Sequence, residues 1–131
     1  MKLIAPLLAV CAMLTSCATP GEGRSPLAGS AWQFTAIDNS TPVSSSARLT
    51  FEGDTIGVNV GCNGIGGPWR VDNGRLIAGP LMQTEMYCAG PVWDQEMAIS
   101  ALLAAAPRLD INGSKMIIKS RGHSAELQRL D

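Results

Sequence analysis

A run of glycines caught between two cysteines constrains this chain more than any other feature. It opens Val58-Asn59-Val60-Gly61-Cys62-Asn63-Gly64-Ile65-Gly66-Gly67 and closes Gly79-Pro80-Leu81-Met82-Gln83-Thr84-Glu85-Met86-Tyr87-Cys88. Gly and Asn tolerate positive φ, so residues 61–67 are expected to form a tight turn or bulge rather than regular structure. Cys62 and Cys88 pair as a disulfide if the chain is exported to an oxidising compartment. The alternative is two buried free thiols, since small domains do bury cysteine.

The N-terminus speaks for export. Met1-Lys2 is a short positive start, and Leu3 to Leu14 is an apolar run with one proline. That run is shorter than the roughly 20 residues a membrane span needs, and it fits the apolar region of a secretory signal. Leu14-Thr15-Ser16-Cys17 looks like a bacterial lipobox. In proteins of that type the signal is cut before the cysteine, which is then lipidated. Residues 1–16 are therefore expected to be a lipoprotein signal peptide. Residues 17–28 are the lipidated Cys17 and a Pro/Gly-rich tether. Residues 29–131 are the folded domain. Cys17 makes the membrane the first expected partner. Ala18 stands where an aspartate would favour inner-membrane retention, so the expected location is the outer membrane, facing the periplasm.

With 131 residues the chain holds one domain. A formal charge of −1 with scattered basic residues gives no electrostatic case for nucleic acid.

Strand signals dominate the domain. Ala31 to Ile37 is rich in aromatic and β-branched residues, with Trp32, Phe34 and Ala36 on one face. Arg48 to Glu52 and Ile56 to Val60 alternate and read as a hairpin around Gly53-Asp54. Trp69 to Val71 and Arg75 to Ile77 flank Asn73-Gly74, a dipeptide suited to a two-residue turn. Pro91 opens a helix and Pro107 ends it. Trp93, Met97 and Ala101, widened by Ala98, Leu102 and Ala105, give that helix its expected packing face. Three short strands follow: Arg108 to Ile111, Lys115 to Lys119 and Ala125 to Arg129. Strands, then a helix, then strands predict an α+β fold: a small antiparallel sheet, with room for strong curvature, and one helix packed on it.

The pattern Gly61-Cys62-Asn63-x-x-Gly66 followed by Gly79-Pro80-Leu81-x-x-Thr84-x-Met86-x-Cys88 resembles the META domain of the HslJ-like heat-shock protein family. Gly29-x-x-Trp32 and Trp93-x-x-Glu96 support it, and the resemblance covers about Leu27 to Leu130. It implies a small α+β envelope domain, loosely linked to heat shock and to resistance against an antibiotic. It brings no catalytic residues and no cofactor. Gly67-Pro68-Trp69 departs from the pattern, and Pro68 is expected on an edge strand or bulge.

Candidate chemistry is sparse. His123 could serve Cys88 as a base, or join Cys62 and Cys88 at a metal, but a disulfide removes both thiols and the spacing is not that of a metal site. The 61–67 run lacks the Gly-Lys-Ser/Thr ending of a phosphate loop. Glu85 and Asp94 could pair as carboxylates, but read better as a strand-end charge and a helix-dipole charge. Asp94 and Glu96 are both assigned to the first helical turn. Met82, Met86 and Tyr87 are expected in the core beneath the helix, the alternative being the lining of an apolar pocket. The expected function is a lipid-anchored, non-catalytic envelope protein that binds a partner or acts in stress, with no cofactor and no metal. The alternatives are an envelope enzyme with an unrecognised site, or an inhibitor of a hydrolase.

Overall fold

The computed structural model describes residues 26–130. Cys17, the signal segment and most of the tether lie outside the described residues. Nine strands and one helix follow in order: β1 (Ala31–Ile37), β2 (Arg48–Glu52), β3 (Thr55–Asn59), β4 (Gly64–Asp72), β5 (Arg75–Ala78), β6 (Met82–Gln83), α1 (Pro91–Ala104), β7 (Arg108–Asn112), β8 (Lys115–Lys119) and β9 (Ser124–Leu130).

The expected small sheet with a helix packed on it is overturned. The strands run β3-β2-β1-β9-β8-β7-β5-β4, and β4 returns to pair with β3, so eight antiparallel strands close into a barrel. The closing pair runs from Asn59↔Gly64 to Thr55↔Pro68. It uses the second half of the glycine run: residues 61–63 lie in the expected turn, but residues 64–67 are the start of β4 and not irregular structure. A Cβ on Gly66 would sit 3.3 Å from the carbonyl oxygen of Ile56, and one on Gly67 would collide with the carbonyl oxygen of Pro80. The glycines are there for close approach of main chains on both sides of β4. Pro68 is correspondingly not on a free edge. It is the last β4 residue paired to β3, and from Trp69 onward β4 pairs with β5.

Inward residues alternate around the ring and form one core: Trp32, Leu49, Phe51, Ile56, Val58, Ile65, Leu76, Met116, Ile118, Ala125 and Leu127. In β1 the register against β9 shifts between Phe34 and Ala36. That bulge turns Ile37 into the core, 1% exposed, in place of the expected Ala36. The Trp32 indole N–H donates to Ser30 Oγ at 2.8 Å, so this fully buried ring leaves no donor unpaired.

Helix α1 does not lie on a sheet face. It contacts β1 and β5, which stand on opposite sides of the ring, so it crosses one mouth of the barrel. Its buried side chains are Glu96, Ala98, Ile99, Leu102 and Leu103. The expected face is displaced: Met97 is 51% exposed and Ala101 and Ala105 are exposed, while Ala98 and Leu102 are buried as expected. The thinnest part of the ring lies between β5 and β7. It holds a single registered pair, Arg75↔Arg108, beside main-chain bonds from Leu76 N to Pro107 O and from Leu109 N to Gly74 O.

Candidate functional site

At the N-terminal end of α1 an extended strap, residues 82–88, crosses the surface between β4 and the helix. Only Met82 and Gln83 are paired as a strand, to Gly66 and Ile65. Beyond them, the side chain of Asn63 grips the main chain of Met86. Asn63 Nδ2 donates to Met86 O at 2.9 Å, and Asn63 Oδ1 accepts from Met86 N at 2.7 Å. A side-chain amide thus stands in for a neighbouring strand. Thr84 adds two more bonds: its hydroxyl donates to Asn63 Oδ1 at 2.9 Å and accepts from Gly64 N at 3.1 Å.

Asn63 is held in turn by Glu96, which is 0% exposed. Glu96 Oε1 accepts from Asn63 N at 2.6 Å, and Oε2 accepts from Asn63 Nδ2 at 2.9 Å and from Gln83 Nε2 at 3.0 Å. A buried carboxylate is costly unless hydrogen bonded, and three donors meet that need here. Ser100 Oγ donates to Gln83 Oε1 at 3.2 Å, which ties the next helical turn to the same network. Glu96 is therefore not the helix-dipole charge expected of it. Asp94 alone is acidic in the first turn. The available signal was a carboxylate inside an apolar stripe, with Ile99 and Leu103 three and seven positions on.

The disulfide Cys62–Cys88 closes the far end of the strap, with Cα atoms 6.1 Å apart. Cys62 is 7% exposed. Gly61, just before it, has φ 125°, and a Cβ there would lie 2.9 Å from both Ser44 Cβ and Val92 Cγ2. Here glycine is required by conformation and by space together.

With its inner edge fixed, the strap presents its large side chains outward. Met82 is 80%, Met86 57% and Tyr87 81% exposed. This corrects their expected place in the core: the strap's inward contacts are polar, made by Gln83, Thr84 and the Met86 main chain. Asn63, Gln83, Thr84, Glu85, Met86, Tyr87 and Trp93 line an open cleft of about 340 Å³. The Tyr87 and Trp93 rings lie 5.5 Å apart with planes inclined at 50°. Trp93 is only partly buried.

The other candidates separate. Glu85 lines this cleft, while Asp94 lines a second cleft with Val43 and Gln95. His123 sits in the β8–β9 turn, where its Nδ1 lies 2.7 Å from Asp38 Oδ2, and the Cys88 sulfur is bonded to Cys62. Asp38 Oδ1 also accepts from Ser124 N at 2.9 Å. Burial would raise the Asp38 carboxyl, but the His123 and Ser124 hydrogen bonds and the nearby His123 charge outweigh it and hold the group below its ordinary value.

The model of the META domain family matches residues 25–131. The chain therefore belongs to the META domain family. No curated protein matches it. Two solved structures share the fold. One, described only as the NMR structure of a protein, is 20% identical over 78% of this chain and 90% of its own, with a TM-score of 0.68. The second, an NMR structure of a protein from Burkholderia xenovorans, is 21% identical over 79% of this chain and 83% of its own, with a TM-score of 0.64.

Proposed function

We propose that this META domain is a non-catalytic binding module of the bacterial cell envelope, tethered by lipid at Cys17, with the 82–88 strap as its binding face. The observation that carries the reading is the way the strap is built. A buried carboxylate, an amide and a disulfide hold an exposed main chain in place, and the residues so displayed are Met82, Met86 and Tyr87. Ordering a surface segment in advance lowers the entropy lost when a partner binds. Glu96 supports the reading because all three of its hydrogen bonds go to positioning groups, Asn63 and Gln83. Leu14-Thr15-Ser16-Cys17 supports the tether. Lipid attachment at Cys17 also fits delivery to the outer membrane, with the domain in the periplasm. A role under stress belongs to the same proposal, on the resemblance to the HslJ-like heat-shock family alone.

A photocrosslinker at position 87, in intact envelopes, tests the binding face against one at Ile111, an exposed apolar residue of β7. Discrete adducts from position 87 and none from position 111 are expected. Equal patterns from both positions overturn the face. Cys17→Ser tests the tether separately: the protein should leave the membrane fraction, and retention after a salt wash overturns lipid anchoring.

A further inference from the structure

We infer that the cleft beside Tyr87 and Trp93 takes a cationic side chain, arginine or lysine, from an extended polypeptide that lies along the outer edge of the strap. The inference rests on the binding-face reading above and names its ligand.

Two tilted rings make the pocket. Tyr87 and Trp93 stand 5.5 Å apart at 50°, and Tyr87 is 81% exposed. The face of an aromatic ring attracts a cation, and Trp and Tyr are the stronger partners. The chain fills such a position itself elsewhere: the Arg129 guanidinium lies 5.6 Å from the Trp32 ring centroid. Among the described residues no cation stands over Tyr87 or Trp93.

Charge favours the same ligand. Glu85 lines the cleft, and among the described residues the one ion pair is His123 with Asp38, so Glu85 has no cationic partner. From Leu76 to Pro107 the sequence contains no lysine, arginine or histidine. A cation arriving in the cleft meets the Glu85 carboxylate, which no ion pair among the described residues neutralises.

The main chain supplies the third element. Gly64 and Asn63 occupy the inner edge of the strap. Among the described residues no hydrogen bond reaches the main chain of Glu85 or Tyr87. Those N–H and C=O groups are open to an added strand, which gives affinity, while the cleft reads one side chain. Met82 and Met86 flank it with adaptable apolar surface.

The test uses the oxidised protein and three acetylated, amidated pentapeptides: Val-Thr-Arg-Thr-Val, and the same sequence with citrulline or glutamate in place of arginine. Citrulline keeps the shape and removes the charge. The arginine peptide is expected to bind roughly three- to thirtyfold more tightly than the citrulline peptide. It should perturb the amide signals of Glu85 and Tyr87 and the Trp93 indole signal. Its advantage should shrink with added salt. Tyr87→Phe should keep the preference. Tyr87→Ala and Glu85→Gln, both at exposed positions, should reduce it. Equal binding of all three peptides at residues 83–87 overturns the cation assignment and leaves the binding face standing. Perturbations confined to other regions, or no binding by any peptide, overturn the cationic site, and the position-87 crosslinks then decide the face on their own.

Discussion

Glu96 and Asn63, separated by 33 residues in sequence, meet through two hydrogen bonds of 2.6 and 2.9 Å in the buried base of the strap. Each makes the other affordable. The carboxylate gains donors where water is excluded, and the amide is turned so that its other bonds reach Met86 and Thr84. Removing either partner leaves unmet polarity in a dry site.

The first prediction follows from that pair. Asn63→Ala should destabilise the domain by about 2–4 kcal/mol, because Glu96 loses a donor and the strap its main anchor. Glu96→Gln should cost less, about 1–2 kcal/mol, since one amide oxygen still accepts. Denaturant melts check both, with the midpoint moving and the slope unchanged. If Asn63→Ala melts like the parent, the network is not holding the strap.

The second concerns the disulfide. It closes a loop of 26 residues. The chain-entropy model assigns such a loop about 3.5 kcal/mol, a model-dependent figure. Reduction should lower stability by that order while Asn63 and Thr84 keep the strap in place. Melts with and without reductant give the first quantity. Protection of the Met86 amide from hydrogen exchange gives the second.

The third contrasts two tryptophans. Trp32 is 0% exposed, and Trp32→Ala should cost about 3–5 kcal/mol. Trp93 is partly exposed at the cleft. Trp93→Ala should cost only about 1–2 kcal/mol, within the ordinary range for a partly buried site. Parallel melts settle the order, and equal losses would place Trp93 in the core after all.

The fourth is a matter of space. Gly67→Ala should disrupt the approach of β4 to Pro80, because the clash is with a main-chain carbonyl that has no rotamer to give. Gly64→Ala, where a Cβ meets nothing within 4 Å, should be mild by comparison. Comparing their thermal midpoints tests the close-approach account of the glycine run.

The fifth is pH dependence. Asp38 has a folded pKa below its ordinary 3.8. The folded state therefore holds fewer protons than the unfolded state across that interval. The contribution of Asp38 is complete above pH 3.8 and is lost as pH falls through the lowered folded value. Asp38→Asn should thus lie below the parent in stability at neutral pH and converge with it in strong acid. A gap that persists undiminished in strong acid would refute the assignment.

Local features were legible from the residues and closure was not. Pro91 and Pro107 bracket the helix because proline acts through its own ring. Asn73-Gly74 marks the β4–β5 turn for an equally local reason. The ring depends on β1 meeting β9 and on β3 meeting β4, pairings that no short pattern encodes. Glycines at 66 and 67 were misread because freedom of φ and room for a neighbouring chain leave the same letter in a sequence. The strap was missed for a related reason. Apolar Met82, Met86 and Tyr87 look like core until Asn63, far off in the chain, is seen gripping the backbone that carries them. Glu96 was visible as a charge on an apolar stripe, but its partners were not.

The thin join between β5 and β7 bears on how such molecules behave when crowded together. A barrel that has closed on itself offers no long strand edge to its neighbours, and so resists edge-to-edge association. Here one pair, Arg75↔Arg108, and a few flanking bonds complete the circle. Parting at that join would create two fresh edges in one event, turning a solitary molecule into one able to recruit copies of itself.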